Sequence, residues 1–192
     1  MFEKEQIVNA VAKILNPCEK DWILEPSAGT GSLAVWLRIF GCQTHVNELS
    51  QRRRALLELQ RYVPTGFNAE FMDDLLPNEV KPDGVLMNPP FSSSIERTKN
   101  NDSNYGFRHV RSALTRLKTG GKLVALLGTD SATKTDKARK FRNETSAEYD
   151  LRAIIHLPKN AFYKYGTSTG TSIFVIAKND SEERKNVLAI SF

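Results

Sequence analysis

Trp22-Ile23-Leu24-Glu25-Pro26-Ser27-Ala28-Gly29-Thr30-Gly31 is the stretch whose reading decides the fold. The short apolar run Trp22-Ile23-Leu24 reads as a strand. It opens into a loop with glycines at 29 and 31, and residues 32–40 read as a helix. Strand, glycine loop, helix is the arrangement of a nucleotide-binding crossover in an α/β sheet. The glycines let the backbone approach a ligand closely, and the helix amino end offers free N–H groups. The loop is not a full G-x-G-x-x-G, because position 34 is Ala, a residue that place sometimes takes. No Gly-Lys-Ser/Thr follows, so it is not a phosphate-binding P-loop. Glu25 sets a carboxylate at the strand end, facing the loop, where it would repel a phosphate and hold an ammonium. The loop therefore points to a cationic, non-phosphorylated nucleoside.

Working outward, Ile7, Val8, Val11, Ile14 and Leu15 fall at helical spacing, and Asn16-Pro17 ends that helix. After the helix at 32–40, Gly41 is a cap. Residues 43–47 read as the second strand, with Glu48 just past its end and 19 residues after Gly29. A carboxylate about 20 residues beyond a glycine loop is placed to accept both ribose hydroxyls. The plainer alternative is an acid that caps the next helix, residues 50–62, which carries Arg52-Arg53-Arg54. Residues 68–72 read as a third strand ending in Asp73 and Asp74. Either of these can accept from the amino group of an adenine.

The second informative stretch is Asp83-Gly84-Val85-Leu86-Met87, a buried strand that ends in Asn88-Pro89-Pro90-Phe91. Pro89 and Pro90 have no N–H to donate, so pairing stops there, and Pro90 drives Pro89 into an extended conformation. The turn is stiff, its carbonyls are free, and Asn88 adds a side-chain acceptor beside them. Acceptors next to an aromatic face suit a planar ring bearing an amino group; a proline-rich strand exit without chemistry is the plain alternative. Residues 92–106 form a polar stretch without periodicity, long enough to serve as a substrate-ordered lid. A helix at 107–117, strands at 122–127, 151–157 and 172–178, a basic helix or loop at 131–143 and one more short strand within 186–192 complete the chain. No repeat or linker divides it, so residues 1–192 read as one domain.

Composition agrees with a soluble globular domain that has an anionic partner. The net charge is +5 and the pI about 9.2, with basic residues clustered at Arg52-Arg53-Arg54 and at Lys134, Lys137, Arg139, Lys140 and Arg142. Each cluster reads equally as a solvated helix face. Two cysteines, Cys18 and Cys42, give neither a zinc site nor a disulfide framework, so no metal is expected. No secretory signal or membrane-length apolar run is seen, and a cytoplasmic location without membrane is the expectation. His45, His109 and His156 read as structural residues.

Taken together, the order of these signals resembles the class I S-adenosylmethionine-dependent methyltransferases, and more narrowly the DNA methyltransferases that act on adenine N6. The resemblance rests on Glu25-Pro26-Ser27-Ala28-Gly29-Thr30-Gly31 as cofactor loop and Asn88-Pro89-Pro90-Phe91 as catalytic loop, each at a strand end. Cofactor loop before catalytic loop is similar to the gamma ordering of that family. Leu157-Pro158-Lys159-Asn160-Ala161-Phe162 resembles the late part of such enzymes, including type I modification subunits. The resemblance implies a Rossmann-like α/β fold of seven strands, mostly parallel with the last reversed, and helices on both faces. It implies S-adenosyl-L-methionine as cofactor, held by Glu25, Pro26, Ser27, Ala28, Gly29, Gly31, Glu48, Asn88 and either Asp73 or Asp74. It further implies that Asn88 and Pro89 accept from the target amino group, with Pro90 stiffening the turn. Phe91 would stack on a flipped base and Phe162 on its other face or edge.

Two departures stand out. The Thr-Pro often found before the first helix is missing, and no separate target-recognition domain follows the catalytic core. DNA is the expected partner, with a specificity subunit or further domains of a longer chain supplying recognition. Cytosine N4, guanine N2 in RNA and a protein glutamine are rival acceptors using the same loop. A non-catalytic DNA-binding module that needs a partner is the rival from another class.

Overall fold

The first helix forms and stops for reasons local to its sequence. In α1 (Lys4–Leu15) the residues Ile7, Val8, Val11 and Leu15 make one buried stripe. Asn16 takes a left-handed φ of 52° and donates its N–H to the Lys13 carbonyl at 2.9 Å, and Pro17 prevents continuation. In the computed structural model, residues 4–71, 77, 80–90, 105–128, 135–158, 161, 170–179 and 188–191 are described. Asp73, Asp74, Phe91 and Phe162 lie outside the described residues, as do Met72 and most of the polar stretch at 92–106.

The remaining elements are β1 (Trp22–Glu25), α2 (Ala34–Ile39), β2 (Gln43–Val46), α3 (Gln51–Leu59), β3 (Gly84–Met87), α4 (Tyr105–Arg116), β4 (Lys122–Gly128), α5 (Asp136–Glu148), β5 (Asp150–His156), β6 (Thr171–Ala177) and β7 (Leu188–Ser191). Seven strands form one sheet in the order β2-β1-β3-β4-β6-β5-β7. All run parallel except β6, which is antiparallel to both β4 and β5.

Central strands buried on both faces read as near-continuous apolar runs. Along β3, Val85 and Met87 face one layer and Leu86 the other; along β4, Leu123, Ala125 and Leu127 alternate with Val124 and Leu126. On the first face, Phe107, Val110, Ala113 and Leu114 of α4 and Ala138 and Phe141 of α5 pack down, with Phe107 stacked on Phe141 at 4.3 Å. On the second, α1 and Leu37 of α2 close the core. The Rossmann-like α/β architecture with helices on both faces is therefore as expected.

Three details correct the sequence reading. The third strand expected at 68–72 is not formed by the described residues 68–71; the edge beyond β2 is a single bridge, Asn47 to Thr65. Phe67 gives its N–H and carbonyl to the Asn47 side chain, and Asn68 Oδ1 takes the Glu70 N–H in a side-chain turn, so the backbone groups a strand needs are already committed. The seventh strand comes instead from the chain end, where β7 pairs with β5. The reversed strand is β6, not the last.

The topology creates a crevice. From the adjacent β1 and β3, the chain crosses to β2 on one side through α2 and to β4 on the other through α4. Ligands of open α/β sheets bind outside the carboxyl ends of strands at such a switch point.

Candidate active site

The two stretches singled out in the sequence meet in that crevice. A cleft of about 550 Å³ is lined by Ser27, Gly29 and Thr30 after β1, Asn47, Glu48 and Leu49 after β2, Asn88 and Pro90 after β3, and Tyr105 and His109 of α4. Pro26, Ser50, Arg53, Phe67, Asn68 and Ala69 complete its walls.

The glycine loop has the backbone that its glycines allow. Gly29 and Gly31 have φ of 58° and 86°. A Cβ on Gly29 would meet no atom within 4 Å, so the space beside this cleft-lining backbone is open. A Cβ on Gly31 would stand 3.0 Å from Leu57 Cδ2, because α3 packs there. Gln60 donates to the Thr30 carbonyl at 2.9 Å and holds the loop from outside.

Glu48 is 4% exposed and tied down on three sides. Oε2 accepts from the Gly29 N–H at 2.8 Å; Oε1 accepts from the Ser50 N–H at 2.8 Å and from Arg53 at 2.7 Å. It therefore does cap the start of α3, as the plainer reading had it, while lining the cleft. A carboxylate has about four acceptor positions, so capacity remains at Oε2 beside Gly29, and the half-exposed Arg53 can yield more. Arg54 donates to the carbonyls of Glu48 and Leu49 at 2.8 Å, so two members of the arginine triplet fasten this turn.

The Asn47 amide, which sequence reasoning missed, organises the floor. Fully buried, it donates to the Pro26 and Phe67 carbonyls at 2.9 and 3.0 Å and accepts from Thr65 Oγ1 and the Phe67 N–H, both at 2.9 Å. A full set of partners for an amide joins the first loop to the segment after Thr65.

Asn88 and Pro90 are exposed to the cleft and Pro89 is buried. Among the described residues no group bonds to the Asn88 amide, so its acceptor is available to a ligand. Ala28 is buried against Ala34, Val46, Leu57 and Tyr62 and supports the loop from behind. Glu25 does not line the cleft. It is 1% exposed, its carboxyl accepts from the Ala34 N–H, and Oε2 has no partner among the described residues. Burial, with Glu48 nearby as a lesser cause, pushes its carboxyl well above the usual range, so it is held protonated.

His109, read from sequence as structural, lies on the cleft wall. Burial lowers its pKa to about 4, so the imidazole is neutral. Among the described residues no group of three or more His, Cys, Asp or Glu could hold a metal ion, and no helix is long and apolar enough to cross a membrane.

This fold and site define a class I methyltransferase. The chain resembles the EcoKI M protein of a type I restriction enzyme over 99% of its own length and 48% of that chain, at 17% identity and a TM-score of 0.80. A Listeria monocytogenes protein described as a class I S-adenosylmethionine-dependent methyltransferase matches 98% of this chain and 64% of its own, at 20% identity and a TM-score of 0.70. Residues 63–192 match the family model for N-6 DNA methylases, and the chain belongs to that family. Membership, with this fold, implies S-adenosylmethionine as cofactor. The chain is also 25% identical to the type II restriction enzyme and methyltransferase RM.BcgI of Heyndrickxia coagulans, over 97% of its own length and 32% of that protein's. It thus spans about a third of that relative and about half of the M protein.

Proposed function

We propose that this chain is the catalytic core of a DNA methyltransferase that methylates the exocyclic N6 amino group of adenine from S-adenosylmethionine. The observation that carries this reading is the meeting, at one topological switch point, of an open glycine loop, a carboxylate with spare acceptor capacity at the end of β2 and an unpartnered amide at the end of β3. The residues present fit the cofactor. Gly29 leaves room for close approach, Glu48 has acceptor positions for a ribose diol, and Asp73 or Asp74 is assigned to the adenine amino group. Pro26, Ser27, Ala28 and Gly31 shape the loop. Glu25 is assigned to the ammonium end, a role that requires it to ionise and turn from its buried position.

When bound, the cofactor supplies a methyl group already activated on sulfur, so no covalent enzyme intermediate is required. An exocyclic amine is a weak nucleophile because its lone pair is delocalised into the ring. The Asn88 amide oxygen and the Pro89 carbonyl accept its two N–H groups, draw the nitrogen toward tetrahedral geometry and stabilise the charge that develops there. The remaining contribution is alignment. The base is flipped from the duplex, at a cost of a few kcal/mol, and Phe91 and Phe162 stack on it, each contributing about 1–3 kcal/mol. A specificity subunit or further domains supplies target recognition.

Asn88→Ala tests the assignment. We expect methyl transfer to unmethylated DNA to fall by about 10²–10³-fold, as for removal of one group that stabilises developing charge, while the cofactor Kd measured by calorimetry stays within about threefold. Mass spectrometry of the hydrolysed DNA should show N6-methyladenine. N4-methylcytosine, or wild-type turnover by the variant, would overturn the reading.

A further inference from the structure

His109 differs from the other two histidines in having nothing to bond to. His45 Nε2 pairs with Thr65 Oγ1 at 3.2 Å and His156 Nδ1 with Ser172 Oγ at 2.8 Å. His109 is 3% exposed, yet both Nδ1 and Nε2 are without a partner among the described residues. Its ring meets that of Tyr105 edge-on at 4.7 Å and leaves the nitrogens unsatisfied. The imidazole is neutral, so one nitrogen carries a hydrogen and the other a lone pair. Native interiors rarely leave such groups unpaired, and each one calls for a cause.

Its position supplies the cause. The Glu70–Arg108 ion pair fastens the turn at Asn68 and Ala69 to α4, so His109, Tyr105, Asn68 and Ala69 form one wall of the cleft. Glu48 and Gly29 stand at the ends of β2 and β1, and Asn88 at the end of β3 beyond them. A nucleoside with its ribose on Glu48 and its 5′ substituent directed past Gly29 toward Asn88 leaves its base to the wall at 67–69 and α4. We propose that His109 is a base-contacting residue, one ring nitrogen forming a hydrogen bond with the purine of the bound cofactor. This rests on the reading of the cleft as the cofactor site, and adds to it a base contact from α4, an element that carries neither sequence motif.

The test is calorimetry with S-adenosylhomocysteine and with 5′-methylthioadenosine, which keeps the nucleoside and lacks the amino-acid part. We expect His109→Phe to lose about tenfold in affinity for both, equivalent to about 1.4 kcal/mol. His109→Gln, which keeps a hydrogen-bonding group, should stay within about threefold of wild type. The melting temperature of ligand-free His109→Phe should not fall, because the substitution removes unpaired groups. Equal binding by His109→Phe, or a loss seen with S-adenosylhomocysteine alone, overturns the base contact and leaves the cofactor reading standing. Failure of the wild type to bind either ligand overturns both. Should His109→Phe not fold, [15N]histidine-labelled wild type decides: a ring-nitrogen resonance of His109 must move when 5′-methylthioadenosine is added, and an unmoved signal refutes the contact.

Discussion

Two buried polar side chains near the cleft stand in opposite situations. Asn47 has every hydrogen-bonding position filled, whereas Glu25 has one carboxyl oxygen without a partner among the described residues. Asn47→Ala would strand the Pro26 and Phe67 backbone groups in the interior, each at about 1–3 kcal/mol. We expect a loss of at least about 3 kcal/mol in urea unfolding, large enough to rank with the breaking of a buried network; a loss under about 1 kcal/mol would show that the amide does not organise the floor. For Glu25 the effect depends on pH. Its carboxyl keeps its proton in the fold at pH values where the unfolded chain has lost it, so the unfolded state binds fewer protons above about pH 4.5. Stability from this group is complete below that pH and is lost as pH rises, by up to about 1.4 kcal/mol per pH unit. Glu25→Gln should therefore match wild type near pH 4.5 and melt progressively higher than it toward pH 8. A difference that does not change with pH would mean that Glu25 is ionised in the fold.

At the scale of the element, the glycine loop separates fold from binding. Gly29 and Gly31 both have positive φ, but only Gly31 is crowded by α3. Gly29→Ala carries the left-handed backbone penalty of about 1–2 kcal/mol and places a methyl in open space beside the cleft. Gly31→Ala adds a contact that Leu57 must yield to, so it should cost more in stability, by about 1 kcal/mol or more. In thermal melts Gly31→Ala should be the less stable, while in calorimetry with S-adenosylhomocysteine Gly29→Ala should show the larger loss of affinity. Reversal of that order would place the ligand elsewhere than against Gly29. The segment after Thr65 is also an element-scale lesson. Its alternation of Asn68, Ala69, Glu70 and Phe71 suits a strand, yet side-chain bonds from Asn47 and Asn68 convert it to a turn.

For the whole molecule, ligand and fold are linked, because a nucleoside on Glu48, Gly29 and α4 bonds only to the native arrangement. At a ligand concentration of 100 Kd the fold gains about 2.7 kcal/mol. For a chain of this size that corresponds to a rise in Tm of roughly 5–10 °C with S-adenosylhomocysteine. Guanosine at the same concentration should give no shift; equal shifts for both would refute an adenosine site. The switch point makes this linkage global, since β1 and β3 are neighbours at the centre of the sheet and each leads into a different helical layer.

The sequence by itself determined what depends on local chemistry and short spacing. Glycines at 29 and 31, an acid 19 residues on and an amide before two prolines each follow from backbone freedom, strand length or a missing N–H, and these features meet in one cleft. The α/β alternation gave the layers for the same reason. What only the tertiary structure decided involves groups distant in the chain. Asn47 and Phe67 meet across 20 residues, which removed the expected third strand. Glu25, at the end of its strand, turned out to be buried against the start of α2 because side-chain direction there follows the packing of the layer. His109 shares the apolar stripe of α4 with Val110, Ala113 and Leu114, so periodicity alone assigns it to the core. The first turns of α4 run past the end of β3, where Pro89 and Pro90 have stopped the sheet, and a core position becomes part of the cleft wall.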